Sequence, residues 1–182
     1  MVLSCKAAAT AIHSGQIIAY PTEAIYGLGC DPNNRMALQQ LLELKSREKD
    51  KGLILVASSW QQLEPFVEPK DPAILIQAQR SWPGPVTWIM PASELCTELL
   101  TGGRSTIAVR ISAHEVVRNL CDQCGFAVVS TSANISGQPP LNTPAGIINA
   151  FGEGIAGVVD GELGGLKNAT SIFDASTGVQ LR

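Results

Sequence analysis

The segment Ala127-Val-Val-Ser-Thr-Ser-Ala-Asn-Ile-Ser-Gly137 changes from apolar to small and polar residues in its middle. The run from Phe126 to Val129 is typical of a strand that is buried on both faces of a sheet. From Ser130 onward, the small side chains predict a loop in which a ligand can approach the backbone and meet hydroxyl and amide donors. Loops at the carboxyl ends of buried strands bind ligands in open α/β sheets. An ordinary turn rich in serine and asparagine has the same composition, so this segment alone leaves both interpretations open.

Strands and helices alternate on both sides of this segment. Apolar or alternating runs predict strands at residues 16–20, 53–56, 86–90, 106–112, 155–159 and 171–174. Helical periodicity predicts helices at residues 36–45, 60–66, 72–82, 114–124 and 143–151. No internal repeat or long linker divides the chain. The pattern therefore predicts a single α/β domain over residues 1–182, with an open mixed sheet and flanking helices.

The composition excludes several classes of protein. Hydrophobic residues make up 45% of the chain and charged residues 16%, which excludes global disorder. The net charge of -3 gives no overall signature of nucleic-acid binding, although residues 45–51 hold four of the thirteen basic residues. No apolar run is long enough for a membrane span, and the N-terminus lacks the order of a signal peptide. Five scattered cysteines fit a reducing compartment, so we expect a cytoplasmic protein with no membrane partner.

Lys45 continues the apolar face that Leu38, Leu41 and Leu42 form on their predicted helix. It lies either at a frayed helix end, where it reaches solvent, or in a cleft facing an anion. Lys45 and Arg47 point in nearly opposite directions on an intact helix, so they converge only if the helix ends between them. A solvated basic helix end explains this segment as well as a site does.

Arg110 is a charged residue in the middle of a predicted strand, on the face that also carries Thr106 and Ala108. Small neighbours leave room for a carboxylate or phosphate, which arginine binds in a bidentate manner. The pattern favours a pocket over the alternative, a solvated sheet face. Thr22 follows the end of another buried strand, where a ligand can reach it, although a plain turn explains that segment almost as well.

Other motifs do not carry a site. Residues 152–157 match G-x-G-x-x-G but follow a predicted helix and precede a strand, the reverse of a dinucleotide-binding turn. Cys121 and Cys124 form a C-x-x-C pair within a helix, and with two histidines in the chain no zinc site assembles around them. We therefore expect no metal ligands, and core packing for both cysteines.

Five motifs together resemble the YrdC/TsaC family of threonylcarbamoyl-AMP synthases, in the order found in that family and over nearly the whole chain. They are Pro21-Thr-Glu-Ala-Ile-Tyr-Gly-Leu-Gly29, Lys45-Ser-Arg47, Ser81-Trp-Pro-Gly-Pro-Val-Thr87, Ala108-Val-Arg110 and Ser130-Thr-Ser-Ala-Asn-Ile-Ser-Gly137. The resemblance implies an open twisted α/β sheet around a concave basic cavity. Glu48 stands where the family commonly has proline, which implies a less rigid and less positive loop. The chain ends at Arg182 without the second domain of longer relatives, so it resembles the short bacterial form.

The resemblance also implies the site residues. It assigns L-threonine binding to Thr22, Arg110, Ser130 and Thr170. It assigns ATP binding to Lys45, Arg47, Thr106, Ser132, Asn134 and Arg182, with Lys45 and Arg47 as the catalytic pair. A serine is usual in the family at the position of Thr170.

The implied reaction joins L-threonine, bicarbonate or CO2, and ATP to form threonylcarbamoyl-AMP and pyrophosphate, a nucleotidyl transfer. The product supplies the threonylcarbamoyl group for a tRNA adenosine next to the anticodon, so the implied partners are tRNA-modifying transferase proteins. Direct binding of tRNA in the basic cavity is left open. No carboxylate cluster stands out, so we expect Mg²⁺ to be held mainly by the phosphates of ATP and by water.

Two other functions stay open. An RNA-binding module without chemistry would use the basic cavity as a groove for phosphates. A carbamoyl-adenylate step in cofactor maturation would use a similar module, but it needs an additional domain that uses carbamoyl phosphate.

Overall fold

Nine strands form one mixed sheet in the computed structural model, which describes residues 1–182. In chain order they are β1 (Val2–Leu3), β2 (Ile18–Pro21), β3 (Tyr26–Gly29), β4 (Ile54–Ala57), β5 (Val86–Pro91), β6 (Thr106–Ile111), β7 (Val128–Ser132), β8 (Val158–Val159) and β9 (Ser171–Asp174). Their order across the sheet is β1-β8-β2-β3-β7-β4-β6-β5-β9. The β4–β6 and β5–β9 pairs are parallel, whereas β7 is antiparallel to both β3 and β4.

Seven α-helices flank the sheet. They are α1 (Cys5–His13), α2 (Arg35–Leu44), α3 (Trp60–Leu63), α4 (Pro72–Gln79), α5 (Glu98–Thr101), α6 (Glu115–Cys124) and α7 (Pro144–Phe151). Helices α1 and α6 pack on each other and, with one face of the sheet, enclose a core of 13 buried residues. Helices α2, α5 and α7 contribute to a larger core of 32 buried residues. The predicted α/β class, with a mixed sheet and flanking helices, is confirmed. None of the helices is both long and apolar enough to cross a membrane.

One face of the sheet is shared between the helices and an open cavity. Val56 and Val128 are directly paired and both lie in the core under α1 and α6. Two residues before Val56 in β4, Ile54 pairs with Ser130 of β7 on one side and with Ala108 of β6 on the other. Because every second residue of a strand points to the same face, these side chains share the face that α1 and α6 cover. Arg110 pairs with Val56, so its side chain also points to this face.

The segment of residues 127–137 differs from its prediction. The predicted strand ends at Val129, but β7 continues to Ser132, so Ser130, Thr131 and Ser132 are strand residues rather than loop residues. The hydrogen-bonding partners of this polar half come from β3 and β4, which flank β7 on either side. These polar side chains are tolerated in the strand because one face of the sheet lines a cavity here.

The segment after Pro21 also differs. The glycines at positions 27 and 29 predict a turn, yet Tyr26–Gly29 forms β3, the second strand of a hairpin with β2. A side chain at Gly29 would place its first carbon 2.4 Å from the carbonyl oxygen of Val129. Glycine is therefore required by the close approach of β3 to β7 rather than by a turn. The elements β1, α1 and α5 were not predicted, and the helix predicted at residues 72–82 ends at Gln79.

Candidate active site

A cavity of about 140 Å³ opens on the uncovered part of this sheet face. The β2–β3 hairpin, the segment after α2, strands β4, β6 and β7, and the two ends of β9 all contribute to its wall. Seven of the predicted site residues line it: Thr22, Arg47, Arg110, Ser130, Ser132, Thr170 and Arg182. Ile25, Tyr26, Ile54 and Ala169 add apolar surface. The fold therefore brings together residues that are up to 160 positions apart, as Thr22 and Arg182 show.

Arg110 is buried at the floor of the cavity, with 4% of its surface exposed. Its Nη1 donates to Oγ1 of Thr170 at 2.8 Å, and its Nη2 lies 3.3 Å from Oε2 of Glu23. Its Nε is also buried and has no partner. The alternative of a solvated sheet face is therefore wrong. An arginine with a free buried donor at a cavity is suited to binding an anion.

Thr22 lies in the hairpin between β2 and β3, and its Oγ1 donates to the carbonyl oxygen of Ile25 at 2.7 Å. Its hydroxyl oxygen thus keeps lone pairs that can accept a hydrogen bond from a ligand. The connection from β8 to β9, residues 160–170, crosses this hairpin, and we call it the strap. The backbone N–H groups of Gly164 and Leu166 donate to the carbonyl oxygens of Thr22 and Glu23 at 3.0 and 2.9 Å.

Thr170 ends the strap between two arginines. Its hydroxyl oxygen accepts from Arg110, and its carbonyl oxygen accepts from Nε and Nη2 of Arg182 at 3.1 and 2.9 Å. Burial lowers the pKa of Arg182, and the neighbouring charge of Arg110 lowers it further. Arg182 remains cationic near neutral pH despite this shift, since an arginine side chain is effectively always protonated in proteins.

Lys45 and Arg47 separate at the end of α2. The helix ends at Leu44, Lys45 is its C-cap and Ser46 has a positive φ of 48°, so the two charges do not lie on one intact helix. Arg47 reaches the cavity and donates to the carbonyl oxygen of Gly52 at 3.0 Å. Lys45 is 1% exposed and is not among the residues that line the cavity.

The ammonium group of Lys45 holds the loop that follows β7. It donates to the carbonyl oxygens of Ser132 and Asn134 and, at 3.2 Å, to Oδ1 of Asn134. Asn134 also accepts from Oγ of Ser132 at 2.5 Å, so the loop is tied to the strand end as well. Burial lowers the pKa of Lys45 to about 8, with a further contribution from Arg47. Lys45 and Asn134 therefore support the wall of the cavity without lining it.

A second chamber of about 230 Å³ adjoins the first and shares Arg47 and Arg182 with it. Thr106, another predicted site residue, lines this chamber. Lys51 and Arg104 complete a set of four basic residues, and its lining includes no acidic residue. The arrangement provides a small cavity with one buried arginine and several hydroxyls, beside a chamber suited to a polyanion.

Sequence reasoning missed three charged residues of the site: Glu23, Lys51 and Arg104. Glu23 stands within the first family motif, but only its proximity to Arg110 gives it a role. Lys51 belongs to the basic run of residues 45–51, which was a signal that could have identified it. Its Nζ lies 2.9 Å from Oε2 of Glu48. No group of three or more His, Cys, Asp or Glu side chains is arranged to hold a metal ion.

Comparison with known proteins is consistent with this geometry. The family model Sua5_yciO_yrdC, described as telomere recombination, matches residues 10–182. A threonylcarbamoyl-AMP synthase of Idiomarina loihiensis is 51% identical over 173 residues, which cover 93% of this chain and 91% of that protein. A threonylcarbamoyl-AMP synthase of Photobacterium profundum is 46% identical over 178 residues, which cover 95% of each chain.

Solved structures match as well. The structure of P. abyssi Sua5 complexed with L-threonine aligns with a TM-score of 0.89 at 31% identity, over 96% of this chain and 54% of that one. E. coli YciO aligns with a TM-score of 0.84 at 21% identity and shares the fold. With a family model that spans residues 10–182 and relatives at 46–51% identity, the chain belongs to the Sua5/YciO/YrdC family.

Proposed function

We propose that this protein is an L-threonylcarbamoyladenylate synthase, a nucleotidyltransferase that joins L-threonine, bicarbonate or CO2, and ATP into threonylcarbamoyl-AMP with release of pyrophosphate. The observation that carries the proposal is the pairing of a small cavity, floored by Arg110 and hydroxyl groups, with an adjoining chamber lined by four basic residues. Relatives named for this activity at 46–51% identity, and a threonine complex among the similar structures, support it.

L-threonine fits the first cavity by its chemistry. Arg110 would bind the carboxylate through its donors that are not used by Glu23 and Thr170. The hydroxyl of Thr170 accepts from Arg110, so its own proton is free to donate to the carboxylate. Thr22 donates to Ile25, so its oxygen is available to accept from the amine or hydroxyl of the substrate. Ser130 lines the same cavity and offers a further hydroxyl.

The reaction then needs positioning and charge neutralisation more than a side-chain base. The neutral amine of threonine attacks CO2, a nitrogen–carbon bond forms, and the amine proton passes to solvent. The resulting carbamate is anionic, and its oxygen attacks the α-phosphorus of ATP without further deprotonation. The bond from the α-phosphorus to the bridging oxygen breaks, and pyrophosphate leaves with that electron pair. Cationic groups held in place before the reaction stabilise such a transition state.

ATP would enter as its magnesium complex, in which the metal is held by phosphates and water and neutralises part of the triphosphate charge. Arg47 and Arg182 line both chambers, so they are suited to contact the α-phosphate where the two substrates meet. Thr106, Lys51 and Arg104 would face the departing pyrophosphate. Ser132, at the end of β7, and Asn134, in the loop that follows, complete the predicted ATP set, and Lys45 would act on ATP by holding both.

The product is a mixed anhydride, so a downstream transferase must pass its acyl group to an acceptor. We propose tRNA-modifying transferase proteins as partners, acting on the adenosine next to the anticodon. Direct tRNA binding to the basic chamber remains a prediction. It would show as an affinity for tRNA that falls steeply with salt.

The decisive experiment measures pyrophosphate release from ATP and Mg²⁺ with each of threonine, serine, valine and glycine, with and without bicarbonate in CO2-free buffer. We expect release to require bicarbonate together with the amino acid and to be fastest with threonine, and we expect threonylcarbamoyl-AMP by mass spectrometry. Serine lacks one methyl group, so it should be about 10- to 200-fold poorer. Equal turnover with serine or glycine, or none with threonine, would contradict the proposal.

A further inference from the structure

Glu23 is a buried carboxylate that lies beside the site without lining it. It is 7% exposed and is not among the residues of either chamber. Its Oε1 accepts a hydrogen bond from Oγ of Ser112 at 2.6 Å, and its Oε2 lies 3.3 Å from Nη2 of Arg110. A buried carboxylate costs free energy unless it is paired, and here its partner is the arginine that floors the cavity.

The guanidinium of Arg110 is held at two of its three nitrogens. Glu23 forms an ion pair with Nη2 that lacks hydrogen-bond geometry, Thr170 accepts a hydrogen bond from Nη1, and the buried Nε has no partner. These two contacts come from separate segments, the β2–β3 hairpin and the end of the strap, so together they restrict rotation of the guanidinium plane. A flexible side chain that is already oriented loses less entropy when it binds a ligand.

The Glu23 side chain is not what holds its own hairpin in place. The backbone of the hairpin is fixed by β2–β3 pairing and by the N–H groups of Gly164 and Leu166, which donate to the carbonyl oxygens of Thr22 and Glu23. The carboxylate instead reaches β6, which β3, β7 and β4 separate from β2 in the sheet. Removal of the carboxylate would thus act on its two partners, Arg110 and Ser112, and of these only Arg110 lines the cavity.

We propose that Glu23 is a positioning residue, which orients Arg110 and thereby sets the affinity of the first cavity for a carboxylate ligand. The inference rests on the proposed function, in which that ligand is L-threonine. Glu23 acts through Arg110 and does not touch the substrate. Its loss leaves a buried arginine without its carboxylate, free to adopt other orientations. The ATP chamber depends on Arg47 and Arg182, so ATP binding does not depend on Glu23.

Three substitutions at this position test the inference. Glu23→Gln keeps the size of the side chain without its charge, Glu23→Asp keeps the charge on a shorter side chain, and Glu23→Ala removes both. We expect kcat/KM for threonine at saturating ATP to fall about ten- to a hundred-fold in Glu23→Ala and Glu23→Gln, because a misoriented Arg110 would lose a charge-assisted hydrogen bond to the ligand carboxylate. Glu23→Asp should be intermediate, while the dissociation constant for ATP should change less than about two-fold in all three. Glu153→Ala, at an exposed glutamate outside both chambers, is the matched control.

A double-mutant cycle separates positioning from general support of the fold. If Glu23 acts through Arg110, then adding Glu23→Ala to Arg110→Ala should lower kcat/KM for threonine by less than about two-fold beyond Arg110→Ala alone. If the two residues acted independently, the fold-losses in kcat/KM of the two single variants would multiply in the double variant. If Glu23→Ala does not fold, as its melting curve will show, the same cycle with Glu23→Gln carries the test.

The outcomes also separate this inference from the proposed function. Wild-type protein that neither binds threonine in calorimetry nor turns it over would overturn both. Wild-type protein that uses threonine, with multiplicative losses in the cycle or equal losses for threonine and ATP, would overturn only the role of Glu23. Unchanged threonine kinetics in Glu23→Gln would do the same.

Discussion

Burial of the Arg110 guanidinium between Glu23 and Thr170 makes lysine a poor substitute at this position. A lysine ammonium keeps the charge but lacks the planar fork that faces both partners and a ligand. We expect Arg110→Lys to weaken threonine affinity about ten- to a hundred-fold, nearly as much as Arg110→Ala, with little change in ATP affinity. Titration calorimetry measures the affinity of each variant for threonine, ATP and tRNA. An RNA-binding groove predicts the reverse, because either cation neutralises a phosphate, and unchanged threonine affinity in Arg110→Lys would remove this residue from the substrate site.

Lys45 gives the site a dependence on pH. Its pKa is lowered to about 8, chiefly by burial, so raising the pH to 9 leaves most of it neutral and weakens its hold on the loop at Ser132 and Asn134. We expect ATP affinity to fall about tenfold between pH 7 and pH 9, as the charged fraction of Lys45 does. Lys45→Met should bind ATP weakly with no change over this range. A flat profile for the wild type would show that the charge of Lys45 does not control ATP binding.

The titration of Lys45 changes the free energy of unfolding in the opposite direction to ATP affinity as the pH rises. An unfolded lysine titrates near a pKa of about 10.4, so between pH 8 and pH 10.4 the unfolded chain binds the proton more strongly than the folded chain does. Stability contributed by this group therefore rises with pH over that window. Melting curves should show this rise in wild type relative to Lys45→Met, while ATP affinity falls.

Glu48 lies in the basic run of residues 45–51. Its Oε2 forms an exposed ion pair with Nζ of Lys51 at 2.9 Å. Because this carboxylate competes with phosphates for the ammonium, Glu48→Gln should tighten binding of pyrophosphate by about two- to five-fold at low salt, and less at high salt. Titration calorimetry with pyrophosphate measures the change. The gain should disappear in a Glu48→Gln/Lys51→Ala double variant. If it persists there, the effect does not act through Lys51.

The strap is the element that fixes the threonine side of the site. At Gly164, an added Cβ would lie 2.8 Å from Cα of Glu23, a backbone atom that cannot move aside easily. We expect Gly164→Ala to displace the strap, to cost about 1–3 kcal/mol of stability, and to weaken threonine affinity. Gly165→Ala is the control, since that position has a positive φ of 79° but no atom within 4 Å. It should lower stability by about 1–2 kcal/mol and leave threonine affinity unchanged. Equal threonine affinity in Gly164→Ala and Gly165→Ala would show that the position of the strap does not control threonine binding.

At the scale of the whole molecule, the site joins segments from both ends of the chain. Thr22 belongs to the β2–β3 hairpin near the start of the chain, whereas Thr170 precedes the last strand and Arg182 follows it. A ligand that bridges them binds only the folded state. Ligand at a hundred times its dissociation constant should add about 2.7 kcal/mol of stability. For a chain of this size, that corresponds to a rise of about 5–11 °C in melting temperature. Threonine and ATP together should raise it more than either alone, and glycine much less.

Much of the architecture follows from local pattern. The apolar runs around Leu55, Val109 and Val129 predict central strands, because only buried strands concentrate such residues. The alternation of strands with helices then predicts the α/β class. Arg110 is recognisable as a candidate because a charge stands in the middle of a predicted strand. Lys45, Arg47 and Thr22 become candidates only through the family motifs, because a solvated helix end and a plain turn explain their local patterns about as well.

The sequence alone determined the class of fold, the family motifs and most of the polar side chains that meet in the cavity. Only the tertiary structure decided that β7 extends to Ser132, that Tyr26–Gly29 is a strand, and that Lys45 turns away from the cavity. It alone decided that Glu23 pairs with Arg110. The physical reason is that these features depend on contacts between residues that are distant in the chain. The pairing of Lys45 with Asn134 spans 89 positions, and the order of strands that creates it has no local signature in composition or periodicity.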